Sequence, residues 1–211
     1  MGKRCARLNL EQAEDRQTFE HLLAQADLLL HGYRPGALEG LGYDQATLRR
    51  ISPHLIDIAL SAYGWSGPWA SRRGFDSLVQ MSTGIAHAGM LWKGVSIPTP
   101  LPVQALDQAT GYLMAATAIR ALTRRVVENI PTSGRLSLAR TAKLLSDGGE
   151  APSAHTLLPE KITDLSPIRE LTAWGEAQRF QVPVTIEGAA MYWQLPACKL
   201  GSAAPSWLAN A

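Results

Sequence analysis

Two short apolar runs, each closed by a glycine-bearing turn, limit the fold of this chain more than any other feature. Asp27-Leu28-Leu29-Leu30-His31 ends at Gly32, Pro35 and Gly36. Leu55 to Ala62 sets Ile56, Ile58 and Leu60 on one face before Tyr63 and Gly64. Runs this short, bounded this way, read as buried parallel strands. Helical patterns alternate with them. Glu11 to Gln25 carries Phe19, Leu22, Leu23 and Ala26 at helical spacing, and Tyr43 to Ile51 stops before Pro53. Phe75 to Ala86 reads as one helix, Met90 to Pro102 as a loop with three prolines, and Ala105 to Val127 as the longest helix. Arg135 to Leu138 reads as a strand, and Leu138 to Leu145 as a helix. Such alternation predicts an α/β fold: an open, mostly parallel sheet with flanking helices.

The pattern changes after Ser146. Ser146 to Leu158 is rich in Gly, Ser and Pro and reads as a linker. Beyond it, Ser166 to Phe180 reads as helical, with Ile168, Leu171, Ala173 and Trp174 as its apolar positions, and Gln181 to Ile186 as a strand. The expected domains are therefore residues 1–145, the α/β portion, and 146–211, a linker and short irregular C-terminal extension.

Composition narrows the function classes. The chain has 211 residues with 46% hydrophobic and 18% charged, enough to bury a core and low enough in charge to favour a well-buried or oligomeric protein. A net charge of +2 argues against a chain built chiefly to bind nucleic acid. No apolar run approaches the roughly 20 residues that span a bilayer, so no membrane partner is expected. The two cysteines, Cys5 and Cys198, stand at opposite ends without a CxxC or Cys/His cluster. No metal site is expected, and the compartment is expected to be reducing and cytoplasmic.

In open α/β sheets, ligands bind outside the carboxyl ends of the strands. The first strand end leads into Gly32-Tyr33-Arg34-Pro35-Gly36. Tyr33 offers a stacking face, and Arg34 a bidentate partner for phosphate. An ordinary strand-to-helix turn with a solvated arginine fits the same residues. The second strand end leads into Gly64-Trp65-Ser66-Gly67-Pro68-Trp69, then Arg72-Arg73. That loop either covers a cleft or packs its own tryptophans. Asp107 falls at the start of the long helix, where an aspartate commonly serves as an N-cap or first-turn charge. Leu106 and the small residues after it (Ala109, Gly111, Ala115, Ala116) point instead to burial, and a buried carboxylate needs a reason.

Five segments in series resemble family III CoA-transferases, the group that includes formyl-CoA and carnitine CoA-transferases and the related α-methylacyl-CoA racemases. They are GKRCARLNL from Gly2, ADLLLHGYRPGALEGLG from Ala26, ISPHLIDIALSAYGWSGPWASRRGFD from Ile51, ALDQATGYLMAATAIRALTRR from Ala105 and RLSLARTAKLL from Arg135. The resemblance covers about the first 145 residues. It implies a Rossmann-like large domain and two interlocked chains in a homodimer. It implies coenzyme A as a substrate, with no metal or redox cofactor, and a carboxylic acid as acceptor. It assigns the nucleophile to Asp107 and CoA contacts to Lys3, Arg4, Tyr33 and Arg34. The implied route is covalent: Asp107 attacks the thioester, and a mixed anhydride and then an enzyme–CoA thioester follow.

The sequence departs from the family in three ways. A strand and helix that precede the first segment in the family are absent before Gly2. Most of the small domain is missing. The turn reads His31-Gly32-Tyr33 where many members read Glu-Asn-Phe. The tail PACKLGSAAPSW resembles the end of some members. A non-catalytic CoA-binding or assembly partner is therefore the main alternative. Racemisation is a weaker one, because the family's racemases carry His at the position of Phe75.

Overall fold

The computed structural model of the chain describes residues 2–149, 158–182, 184–189 and 191–208. It divides into two compact units: Phe19–Glu150, and Met1–Thr18 together with Ala151–Ala211.

In the larger unit three strands form a parallel sheet in the order β1-β2-β3. They are β1 (Leu28–His31), β2 (Ile56–Ser61) and β3 (Ser133–Ser137). Leu28 pairs with Ile56 and His31 with Ala59, while Asp57 pairs with Ser133 and Ser61 with Ser137. Parallel strands need crossovers, and helices supply them. Between β1 and β2 lie α2 (Ala37–Gly40) and α3 (Gln45–Ile51), after α1 (Ala13–Ala24). Between β2 and β3 lie α4 (Asp76–Ser82), α5 (Ile85–Lys93) and α6 (Ala105–Glu128), with α7 (Leu138–Asp147) following β3. The fold is thus the expected α/β architecture. The central strand β2 is buried along nearly its whole length, as a strand covered on both faces should be.

Sequence chemistry explains the local ends. Asp44 caps α3 by accepting the Thr47 N–H at 2.7 Å, and Ser137 caps α7 by accepting from Arg140. The single helix expected over Phe75 to Ala86 is two. α4 stops at Thr83, and Gly84, with φ 89°, turns the chain into α5. That left-handed conformation suits glycine and ends a helix whatever the apolar spacing around it. α5 then runs to Lys93, so the proline loop begins later than Met90.

The long helix α6 lies on the sheet through Met114, Ala118, Ala121 and Leu122, against Leu28, Ile56, Ile58, Leu60 and Leu136. Its approach to β3 depends on Gly134, where a Cβ would stand 2.5 Å from Thr117 Cγ2. A second cluster joins the ends of several elements: Ala62, Val79, Leu106, Leu138 and Ala142, with Tyr63 and Ile85 packed against it. At its far end α6 is tied down by Arg125, which donates to the Asp27 carboxylate at 2.7 Å and to the His54 carbonyl.

The smaller unit is built on an antiparallel pair, β4 (Leu165–Thr172) and β5 (Gly175–Phe180). The helix expected over Ser166 to Phe180 is therefore a hairpin. Ile168 and Leu171, the residues placed on the helix's apolar face, point to solvent, with Leu171 78% exposed. Two local features override the spacing. Pro167 sits where the ladder shifts register, and Gly175, with φ 116°, closes the turn. Glu170 and Arg179 pair across the hairpin through two hydrogen bonds, and the Arg179 guanidinium lies 5.3 Å from the Trp193 ring. The strand expected over Gln181 to Ile186 is not formed among the described residues; Ile186 makes only an isolated bridge to Ala189. Of the linker expected at Ser146 to Leu158, the first two residues belong to α7 and residues 150–157 lie outside the described ones.

The first segment belongs to this smaller unit. Gly2 N–H donates to Leu195 O at 2.8 Å, Arg4 Nη1 to Ser206 O at 2.8 Å, and Ala203 N–H to Cys5 O at 3.1 Å. Gly2 has no room for a side chain: a Cβ would fall 2.1 Å from Trp193 Cδ1.

Candidate functional site

Because α6 runs back over a parallel sheet, its N-terminus comes to the carboxyl end of the strands. Leu106 marks the place, fully buried against Ala62 just past β2 and Leu138 just past β3. Asp107 follows it in the first turn of α6. The residue at the N-cap position, Gln104, makes no side-chain cap.

The cap comes from another helix. Asp76, the first residue of α4 and only 1% exposed, accepts the Asp107 backbone N–H through Oδ2 at 2.8 Å. Its Oδ1 accepts from Gln80 Nε2. Gln80 in turn donates to Val103 O and accepts the Leu101 N–H at 2.8 Å. A buried Asp–Gln pair on α4 thus holds both the proline loop and the first turn of α6. An unsatisfied N–H at a helix start seeks such an acceptor. Asp76 therefore caps α6 and not its own helix, since α4 itself receives no side-chain cap.

The Asp107 side chain is exposed, as are Ala109, Gly111, Ala115 and Ala116; of the residues taken to signal burial, Leu106 alone is buried. The helix turns Leu106, Thr110 and Met114 inward and leaves the small residues outside. The Asp107 carboxyl is nevertheless held above its ordinary value, first by partial desolvation and second by the charge of Asp76.

The second predicted cluster lies at the end of β1. Gly36, with φ 84°, makes the turn, and Ala37 N–H closes it on Arg34 O at 3.0 Å. Tyr33 is 61% exposed and stacks on His31, centroids 6.0 Å apart. His31 Nε2 faces Asp57 Oδ1 at 3.4 Å. The Arg34 side chain is exposed, with no hydrogen bond or ion pair among the described residues. The loop after β2 takes the packing reading: Trp69 meets Tyr63 edge-on and Arg72 lies over it, while Arg135 lies over Trp65. Tyr33, Arg34 and Asp107 thus belong to one unit and Lys3 and Arg4 to the other.

The carboxylate at the head of the sheet-covering helix and the cationic turn at the end of β1 both lie where open α/β folds hold their ligands. Comparisons with known proteins identify the family. The CoA-transferase family III profile matches residues 1–146, and the chain belongs to that family. It is 36% identical over 126 residues to the succinyl-CoA–L-malate CoA-transferase beta subunit of Chloroflexus aurantiacus, covering 59% of this chain and 30% of that one. It is 35% identical over 130 residues to the probable fatty acyl-CoA transferase Rv3272 of Mycobacterium tuberculosis, covering 59% and 31%. A solved structure of Rv3272 superposes with a TM-score of 0.63 at 29% identity, covering 70% of this chain and 41% of that one. The chain spans about a third of the length of these curated relatives.

Proposed function

We propose that this chain transfers coenzyme A between an acyl-CoA thioester and a carboxylic acid, with Asp107 as nucleophile. The observation that carries the proposal is the place of Asp107: an exposed carboxylate, raised in pKa, at the N-terminus of the helix that covers the sheet. A raised pKa makes the ionised carboxylate a stronger nucleophile. In the first step an Asp107 oxygen bonds to the thioester carbonyl carbon, the C–S bond breaks, and CoA leaves as thiolate. The thiolate then adds to the Asp107 carboxyl carbon and the donor carboxylate leaves. The acceptor carboxylate displaces the thiolate from Asp107, and the thiolate takes the acceptor's acyl carbon, restoring Asp107. Splitting one exchange into such steps keeps each barrier modest.

Arg34 and Tyr33 suit the nucleotide end of CoA, one as a phosphate partner and the other as a stacking face. Lys3 and Arg4 are assigned to the same ligand by the family resemblance. The relatives are named for transfer among succinyl-CoA and malate, fatty acyl-CoA, and acetyl-CoA and oxalate. Those names support an acyl-CoA donor and a carboxylate acceptor here without choosing either. The exposed small-residue face of α6 favours association of two copies, which sedimentation of a stable monomer at micromolar concentration would contradict.

A second reading is a CoA-binding chain without turnover, for which the exposed Arg34 side chain at the end of β1 suffices without any reaction at Asp107. Racemisation is disfavoured because Phe75 carries no titratable proton. Assay of CoA exchange with wild type and Asp107→Ala separates the readings. Transfer by wild type that the substitution abolishes supports the first, and CoA binding without transfer supports the second.

A further inference from the structure

The two cysteines stand 193 positions apart in the sequence, yet they meet in the smaller unit. The segment carrying Cys5 lies beside the tail that carries Cys198. Ala203 N–H donates to Cys5 O at 3.1 Å, and the Cys198 thiol faces Lys3 O at 3.9 Å. Both thiols are free and partly accessible. The two thiols lie close enough to influence each other: Ser202 and Cys5 pull the Cys198 pKa down, while Cys198 pushes Cys5 up. Two free thiols on adjoining segments have the arrangement of a dithiol, in which one sulfur attacks an oxidant and the other resolves the product.

We propose that Cys5 and Cys198 are a redox modification site, forming a reversible intramolecular disulfide on exposure to a low-molecular-weight disulfide such as oxidised glutathione. The Cys198 thiolate attacks one sulfur of that oxidant, forming a mixed disulfide and expelling one glutathione thiolate. The Cys5 thiol then loses its proton to solvent and attacks the Cys198 sulfur, expelling the second glutathione thiolate. Two protein thiols are oxidised by two electrons, and one glutathione disulfide is reduced to two glutathiones. The bridge fastens the segment bearing Lys3 and Arg4 to the C-terminal tail. It requires nothing of the CoA-transfer reading.

The test uses the full chain, incubated with oxidised glutathione, alkylated and digested with trypsin without reduction. The expected product is residues 5–7 joined to residues 180–199, with an intact mass lower by two hydrogens and no retained glutathione. Reduced glutathione returns the free thiols. Cys5→Ser should stop at a stable mixed disulfide on Cys198, and Cys198→Ser should lose the bridge and react more slowly at Cys5. A wild-type chain that retains glutathione on both cysteines, or that links only between chains, overturns the proposal. So does equal reactivity of the two single variants.

Discussion

The buried Asp76 carboxylate accepts the backbone N–H of Asp107 at 2.8 Å, so one carboxylate caps the helix that presents the other. The two are 31 positions apart and sit on different helices, α4 and α6. The contact fixes the Asp107 backbone, and the charge of Asp76 helps to raise the Asp107 pKa.

Asp76→Asn tests both effects. Asparagine has one acceptor oxygen for two donors, the Asp107 N–H and the Gln80 amide, and its own NH2 must face one of them. Leaving a buried donor unsatisfied costs about 1–3 kcal/mol. Chemical denaturation should show that loss, and the acid limb of CoA transfer should move to lower pH as the neighbouring charge disappears. Unchanged stability together with an unmoved limb would show that the Asp76 contact holds nothing.

Asp107→Asn should separate stability from activity. A carboxyl whose folded pKa lies above its unfolded value binds its proton more tightly in the folded state, so its ionised form weakens the fold. The substitution should therefore stabilise the chain at neutral pH while abolishing transfer. The gain should fade as pH falls through the raised value and vanish below the ordinary value of 3.8. Thermal unfolding of both forms across that range measures it. A variant less stable than wild type at neutral pH would contradict the shift.

Gly134→Ala should cost about 1–3 kcal/mol by overpacking, because its Cβ would press on Thr117 Cγ2. Thr117→Ser removes that methyl and keeps the hydroxyl that donates to Leu113 O at 2.7 Å. The double variant should recover most of the loss in denaturant titration, a coupling expected of residues in contact. Simple additivity would place the strain elsewhere.

What the sequence made legible follows from how local each signal was. β1, β2 and α6 announce themselves within a few residues, through Leu28–His31, the Ile56/Ile58/Leu60 face and the small-residue stretch after Asp107. The break at Gly84 and the hairpin at Gly175 were hidden because apolar spacing matched a helix over windows too short to separate the two periods. Asp107 was visible as a helix-start carboxylate. The Asp76 contact, and the meeting of Cys5 with Cys198, depend on tertiary placement that no local pattern carries. The turn at Tyr33 and Arg34 was legible as a shape.

Calorimetric titration of CoA against wild type and Arg34→Ala weighs that turn. Losing a charge-assisted hydrogen bond to phosphate costs about 1.5–3 kcal/mol, or roughly ten- to a hundredfold in Kd. Equal affinity in both proteins would remove Arg34 from the site.

The central claim, that Asp107 forms the covalent intermediate, is tested most directly by trapping. Wild type is incubated with acyl-CoA, quenched with hydroxylamine or borohydride, digested with trypsin and mapped by mass spectrometry. Residues 94–120 form one tryptic peptide in which Asp107 is the sole side-chain carboxylate, and Asp76 falls in the preceding peptide. The account predicts the modification on residues 94–120, at Asp107, and its loss in Asp107→Ala together with turnover. An adduct on the peptide containing Asp76, or full transfer by Asp107→Ala, would contradict it.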